Sequence, residues 1–140
     1  MKTILITGGT RGIGLETALI FSKNDWNVYI TSRKDENLTE VLNNHPNLKG
    51  FVANADSEEA AIETCENIVK ETESLDVLIN NAGTNPSGGS ILDVEISRIQ
   101  KTWDVNLLGP LLWTRAAVKA GLKESVINVA SVGGIKPAPY

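Results

Sequence analysis

The sequence predicts an α/β fold, a doubly wound parallel sheet of five strands with helices on both faces, in three layers. Three observations predict it. Short apolar runs alternate with stretches of helical periodicity along the whole chain. The runs are continuous rather than alternating, as in Ile4, Leu5, Ile6 and Val77, Leu78, Ile79, which suits strands buried on both faces. Each run empties into glycine or polar residues, and in a parallel sheet with right-handed crossovers those strand tips share one side.

The first strand is predicted over residues 3–7, and Gly8, Gly9, Gly12 and Gly14 follow at once. A helix then spans residues 12–24, with Ile13, Ile20 and Phe21 on one face and Thr17 between them. The second strand, residues 27–31, is rich in β-formers. A short helix starts at Asp35 or Asn37 and runs through Leu42, until Pro46 and Asn47 break it. The third strand covers residues 48–53. Asp56 and Glu59 have capping-box spacing for a helix that runs to residue 72. The fourth strand takes residues 76–80 and ends at Asn80, Asn81, Ala82 and Gly83. After a polar loop at residues 84–90, a long helix begins near Asp93 with Ile96, Ile99 and Trp103 on one face. Gly109 and Pro110 should kink it, because proline lacks an N–H and clashes with the turn before it. The helix resumes to Ala120, Gly121 is its C-cap, and the fifth strand covers residues 125–130.

Composition narrows the function. The 140 residues make one domain of ordinary size, and 41% hydrophobic residues can build its core. A formal net charge of -4 with no basic run argues against nucleic acid or an anionic membrane as a partner. The single cysteine, Cys65, excludes an internal disulfide, and its helical spacing with Ala61 and Ile68 makes it a core thiol. The single histidine, His45, sits in a polar stretch and reads as solvated. No apolar run is long enough to span a bilayer and no signal-peptide pattern is present, so a cytoplasmic protein is expected.

The chemistry begins at the first strand tip. Strand, glycine-rich turn and helix make a cradle for a nucleotide phosphate. Glycine lets the backbone turn tightly and approach a pyrophosphate, and the helix N-terminus offers unpaired N–H groups. The spacing is G-x-x-x-G-x-G through Gly8, Gly12 and Gly14, not the commoner G-x-G-x-x-G. The other tips are Ser32 and Arg33, Asn54 and Ala55, residues 80–83, and Ser131.

Together these motifs resemble the N-terminal part of the short-chain dehydrogenase/reductase family. The residues that carry the resemblance are Thr7, Gly8, Gly9, Thr10, Arg11, Gly12, Ile13 and Gly14, then Asn54 and Ala55, then Asn80 to Gly83, then Val105 and Asn106, then Ser131. The resemblance covers essentially the whole chain and implies a Rossmann-like sheet in the order 3-2-1-4-5. It implies that Gly8, Gly12, Gly14 and the Ile13 N–H line the pyrophosphate, that Asn54 and Ala55 flank the adenine, and that Asn81, Ala82 and Gly83 hold the fourth strand beside the adenosine. It makes Asn106 a member of the catalytic tetrad that anchors a water, and Ser131 the donor to a substrate carbonyl oxygen.

The family's reaction is hydride transfer between a nicotinamide and a carbonyl or alcohol, so a small-molecule carbonyl or alcohol substrate is implied. Cofactor choice follows from charge. NAD sites of this kind place an acid after the second strand, whereas NADP sites need a cation there. Ser32 does not repel a 2′-phosphate, Arg33 can grip it with a planar fork, and Arg11 and Thr10 lie in the facing turn. NADP(H) is expected over NAD(H). The family also uses a Tyr-x-x-x-Lys motif, in which the lysine lowers the tyrosine pKa. The 140 residues hold no such motif, and Tyr140 stands closer to Ser131 than the family's spacing. The expectation is therefore an incomplete enzyme that binds nucleotide without turnover and self-associates through its long helix or its fifth strand. The alternatives are a non-catalytic nucleotide-binding module and an inert structural fragment.

Overall fold

A computed structural model describes residues 1–85 and 90–136. Strands β1 (Thr3–Ile6), β2 (Asn27–Ser32), β3 (Leu48–Val52), β4 (Val77–Asn80) and β5 (Ser125–Asn128) form one sheet in the order β3-β2-β1-β4-β5. All four pairings are parallel, with Ile4 opposite Val28 on one side and Val77 on the other. The helices are α1 (Gly12–Ser22), α2 (Asp35–Asn44), α3 (Glu58–Thr72), α4 (Ile96–Trp103) and α5 (Gly109–Ala120).

The continuous apolar runs feed two cores at once. Leu5, Tyr29 and Leu78 face one side, where they pack with Ala61, Cys65, Ile68, Trp113, Ala116 and Ala117 of α3 and α5. Their neighbours Ile4, Ile6, Val28, Ile30, Val77 and Ile79 face the other, against Ala18 of α1 and Leu38 and Val41 of α2. The strand's period of two thus distributes one run between two helical layers. Burial of Cys65 pushes its thiol up to about 12, so it is an inert core group.

Three details depart from the sequence reading. Ile13 and Ile20 do not face the core: both are exposed, and α1 packs instead through Gly14 and Ala18, with Leu15, Leu19 and Phe21 partly buried against the sheet. The phase of α1 is set at its start, where Gly14 lies so close to Gly8 and Asn81 that no side chain fits. Asp56 is not the cap of α3. Ser57 is, its hydroxyl accepting the Ala60 N–H at 3.2 Å.

The long helix is interrupted one turn earlier than expected. Residues Asp104–Leu108 form a π turn between α4 and α5, and the Gly109 N–H donates to the Asp104 carbonyl five residues back. Pro110 cannot donate to the Asn106 carbonyl, and widening the turn just ahead of it accommodates that loss. Asn80 ties this rod to the sheet, its amide donating to Thr114 Oγ1 at 3.1 Å and to Asn128 Oδ1 at 2.9 Å.

Candidate functional site

The tips of β1, β2, β3 and β4 open onto one cleft of about 520 Å³. Its lining includes Gly8, Thr10, Arg11, Gly12 and Ile13 from the first turn, Ser32 and Arg33 after β2, Asn54 and Ala55 after β3, and Asn81, Ala82 and Gly83 after β4. Twelve sequence-predicted residues are therefore brought together. Gly14 lies beneath the turn rather than in the lining, its missing Cβ filled by the Gly8 carbonyl and the Asn81 amide. Asn106 and Ser131 are outside the lining as well. The Pro86–Gly89 part of the 84–90 loop and Tyr140 fall outside the described residues.

The turn is built by hydrogen bonds between strand tips. The Gly8 N–H donates to Thr31 Oγ1 at 3.2 Å and the Gly9 N–H to the Thr31 carbonyl at 3.0 Å, which hangs the turn on β2. Across the other side, Asn81 Nδ2 donates to the carbonyls of Thr7 and Gly8 at 3.0 and 2.9 Å. Gly8 and Gly12 have φ of +66° and +54°, a conformation that favours glycine. A Cβ on Gly12 would meet nothing within 4 Å. The turn therefore leaves open space directly at the N-terminus of α1, a cradle shaped for an anion.

The β2 tip supplies charge. Ser32 is buried, and its hydroxyl donates to the Lys34 carbonyl at 3.0 Å and accepts the Lys34 N–H at 3.2 Å. This small ring commits the hydroxyl to its own loop and leaves Arg33 exposed at the cleft edge. Lys34 and Asn37 also line the cleft, and sequence reasoning missed both. Their nearness in sequence to Arg33 was the available signal. Lys101 and Val105 reach the cleft from α4 and the π turn; Val105 belongs to a motif that carries the resemblance, whereas nothing local in the sequence marks Lys101.

Asn106 sits in the π turn with both ends of its side-chain amide bonded to Thr84. Its Oδ1 accepts the Thr84 N–H and its Nδ2 donates to the Thr84 carbonyl, both at 2.8 Å. The wide turn thereby holds the backbone just after Gly83. Ser131 follows β5 and is exposed, its hydroxyl accepting the Gly133 N–H at 3.1 Å at the start of a short 3-10 turn. Among the described residues no group of acids, histidines and cysteine is arranged to hold a metal ion. No described helix is long and apolar enough to cross a membrane.

Geometry and relatives agree. A family model described as short chain dehydrogenase matches residues 2–140. The human protein named dehydrogenase/reductase SDR family member 4 is 32% identical over 99% of this chain, which covers 52% of that protein. A 3-ketodihydrosphingosine reductase of Bacteroides thetaiotaomicron is 31% identical over 99% of this chain and 50% of its own length. The chain thus spans about half the length of the curated relatives it matches. Among solved structures, ElxO with NADP bound superposes with a TM-score of 0.91 at 34% identity, over 99% of this chain and 59% of that one. NAD+-bound xylitol dehydrogenase reaches the same TM-score of 0.91 at 25% identity, over 99% and 56%. A five-stranded parallel sheet, the glycine turn at its centre and a family match over nearly every residue lead to one conclusion: the chain belongs to the short-chain dehydrogenases, a family of oxidoreductases.

Proposed function

We propose that residues 1–140 are the dinucleotide-binding unit of an NADP(H)-dependent carbonyl reductase or alcohol dehydrogenase. The carrying observation is the β2 tip, where Ser32 is turned in on Lys34 and Arg33 stands exposed at the cleft edge, with no carboxylate at either position. A 2′-phosphate needs cations and no acid at that point. Arg33, Lys34 and Arg11 supply them. ElxO, at 34% identity, is described with NADP bound, which supports the same choice, while the 25% identical xylitol dehydrogenase carries NAD+.

The residue assignments follow. Gly8, Gly12 and the N-terminus of α1 at Ile13 hold the pyrophosphate, with Thr10 and Arg11 in the same turn and Gly14 allowing the helix to start tight against it. Ser32 and Arg33 face the adenosine ribose, Asn54 and Ala55 the adenine, and Asn81, Ala82 and Gly83 brace the turn from β4. Asn106 fixes the backbone after Gly83 beside the reacting end, and Ser131 donates to the substrate oxygen. The nucleotide, when bound, would give a hydride to a carbonyl or take one from an alcohol; the chain's part is to bind and orient it. The 140 residues contain no Tyr-x-x-x-Lys, and we assign them binding without turnover. The substrate is a small carbonyl or alcohol and the protein is cytoplasmic.

Nucleotide titration of the Arg33→Asp variant tests the cofactor choice. NADPH affinity should fall by at least tenfold with NADH affinity rising or unchanged, since an ion pair becomes a repulsion beside the 2′-phosphate. Undiminished NADPH binding would defeat it. Steady oxidation of NADPH with a carbonyl substrate by the 140 residues alone would defeat the assignment of binding without turnover.

A further inference from the structure

The segment after β3, Ala53 to Asp56, is held from one side by the rod formed by α4, the π turn and α5. Trp113 Nε1 donates to the Ala55 carbonyl at 3.0 Å. Gly109 lies under the same carbonyl, where a Cβ would come within 2.8 Å. Both contacts fix Ala55 from below. The third contact is at the rim: Lys101 Nζ reaches Asp56 Oδ2 at 2.8 Å, and both residues line the cleft. Asp56 is the one acid among the described lining residues, in a cleft that also holds Arg11, Arg33 and Lys34. A carboxylate free to turn inward there would repel a phosphate-bearing ligand.

We propose that the Asp56–Lys101 pair is a positioning clamp that draws the Ala53–Asp56 segment against α4 and sets the width of the adenosine end of the cleft. Neither residue touches a reacting atom. The inference rests on the nucleotide reading above and adds to it a determinant that lies outside the glycine turn and the β2 tip. The hydrogen bond from Lys101 keeps the Asp56 carboxyl below the ordinary carboxylate range against the opposing effect of burial, so Asp56 is a carboxylate at neutral pH. The two partners are 22% and 47% exposed, so the pair is a rim contact and its effect is graded rather than all-or-none.

The test turns on a sign. If Lys101 only attracts phosphates, Asp56→Asn frees it and tightens binding. If the pair is a clamp, Asp56→Asn and Lys101→Met both loosen the segment and weaken binding. Isothermal titration of the 140-residue chain with adenosine 2′,5′-bisphosphate, with nicotinamide mononucleotide and with NADPH reads this directly. Expected are losses of about two- to fivefold for the bisphosphate in each single variant. The double variant should be no worse than either single, Lys101→Arg should keep the parent affinity, and mononucleotide binding should be unchanged. Tighter bisphosphate binding by Asp56→Asn, unchanged binding in both single variants, or an equal loss for the mononucleotide would overturn the clamp while leaving nucleotide binding intact. A parent chain that binds none of the three probes would defeat the nucleotide reading itself and the clamp with it.

Discussion

Thr7 and Asn81 are joined twice, and Asn81 is the donor both times. The Asn81 backbone N–H donates to Thr7 Oγ1 at 3.0 Å, and the Asn81 side-chain amide donates to the Thr7 carbonyl at 3.0 Å. Thr7 Oγ1 accepts the Ala82 N–H as well, at 3.1 Å. The ends of β1 and β4 are thus locked side by side where the strand ladder stops, and the glycine turn inherits its position from that lock.

Asn81→Ala should therefore act through architecture before it acts through ligand contacts. It removes two donors from carbonyls in a part-buried site, a change worth about 1–3 kcal/mol of stability. Urea unfolding should show that loss, and nucleotide affinity should fall with it. A variant with parental stability would mean that water replaces the amide at no cost.

The glycines of the turn separate by function. At Gly14 an added methyl would lie 2.4 Å from both the Gly8 carbonyl and the Asn81 amide. Gly14→Ala should cost more than 2 kcal/mol by displacing α1 from the sheet. At Gly12 a methyl meets only open space, with a backbone penalty of about 1–2 kcal/mol for φ of +54°. Gly12→Ala should thus fold with a modest loss and fail in nucleotide binding. Equal binding by Gly12→Ala and parent would remove this residue from the cradle.

Asp76 gives the fold a dependence on acid. It is buried just before β4, where it accepts the Thr3 N–H at 2.7 Å and the Ser74 hydroxyl at 2.8 Å. Burial pushes its carboxyl up, but the Thr3 N–H, the Ser74 hydroxyl and the charges of Lys123 and Lys2 together hold it below the ordinary 3.8. A carboxyl lowered on folding contributes stability that is complete above its unfolded value and is lost as pH falls through the folded one. The melting temperature of the parent should therefore drop more steeply below about pH 4 than that of Asp76→Asn. Parallel curves for the two proteins would exclude Asp76 as the source.

The rod of α4 and α5 carries an apolar stripe. Ile96, Ile99, Trp103, Leu107, Leu111 and Val118 are all exposed along it. Such a surface favours association between copies. Light scattering should show a species larger than the monomer at high concentration, and Trp103→Glu should shift it to the monomer. A parent that stays monomeric would leave the stripe without that role.

Much of this was legible in the sequence because the relevant forces are local. Val77, Leu78 and Ile79 read as a doubly buried strand since each residue had to face one helical layer or the other. The glycine turn was legible because positive φ demands glycine whatever surrounds it. What could not be read depends on distant partners. Ile13 and Ile20 have the spacing of a buried face, but the phase of α1 is set by Gly14 against Gly8 and Asn81. Asp56 has the spacing of a helix cap, yet its carboxylate is taken by Lys101, 45 residues away. The π turn was displaced from Pro110 because its position is negotiated between the proline and the carbonyl ahead of it.

The bond from Trp113 to Ala55 also has an optical consequence. Its indole is sealed in the core, so its emission should lie to the blue, and its N–H is spent on the segment proposed to cradle adenine. Of the three tryptophans, Trp103 is exposed and Trp26 stacks edge-on against Phe21 at the far end of β2. With those two replaced by phenylalanine, the chain becomes its own fluorimeter. Bound reduced nicotinamide would drain the remaining emission by resonance transfer, and any slackening of the adenine-side loop would register as a shift in colour without an added dye.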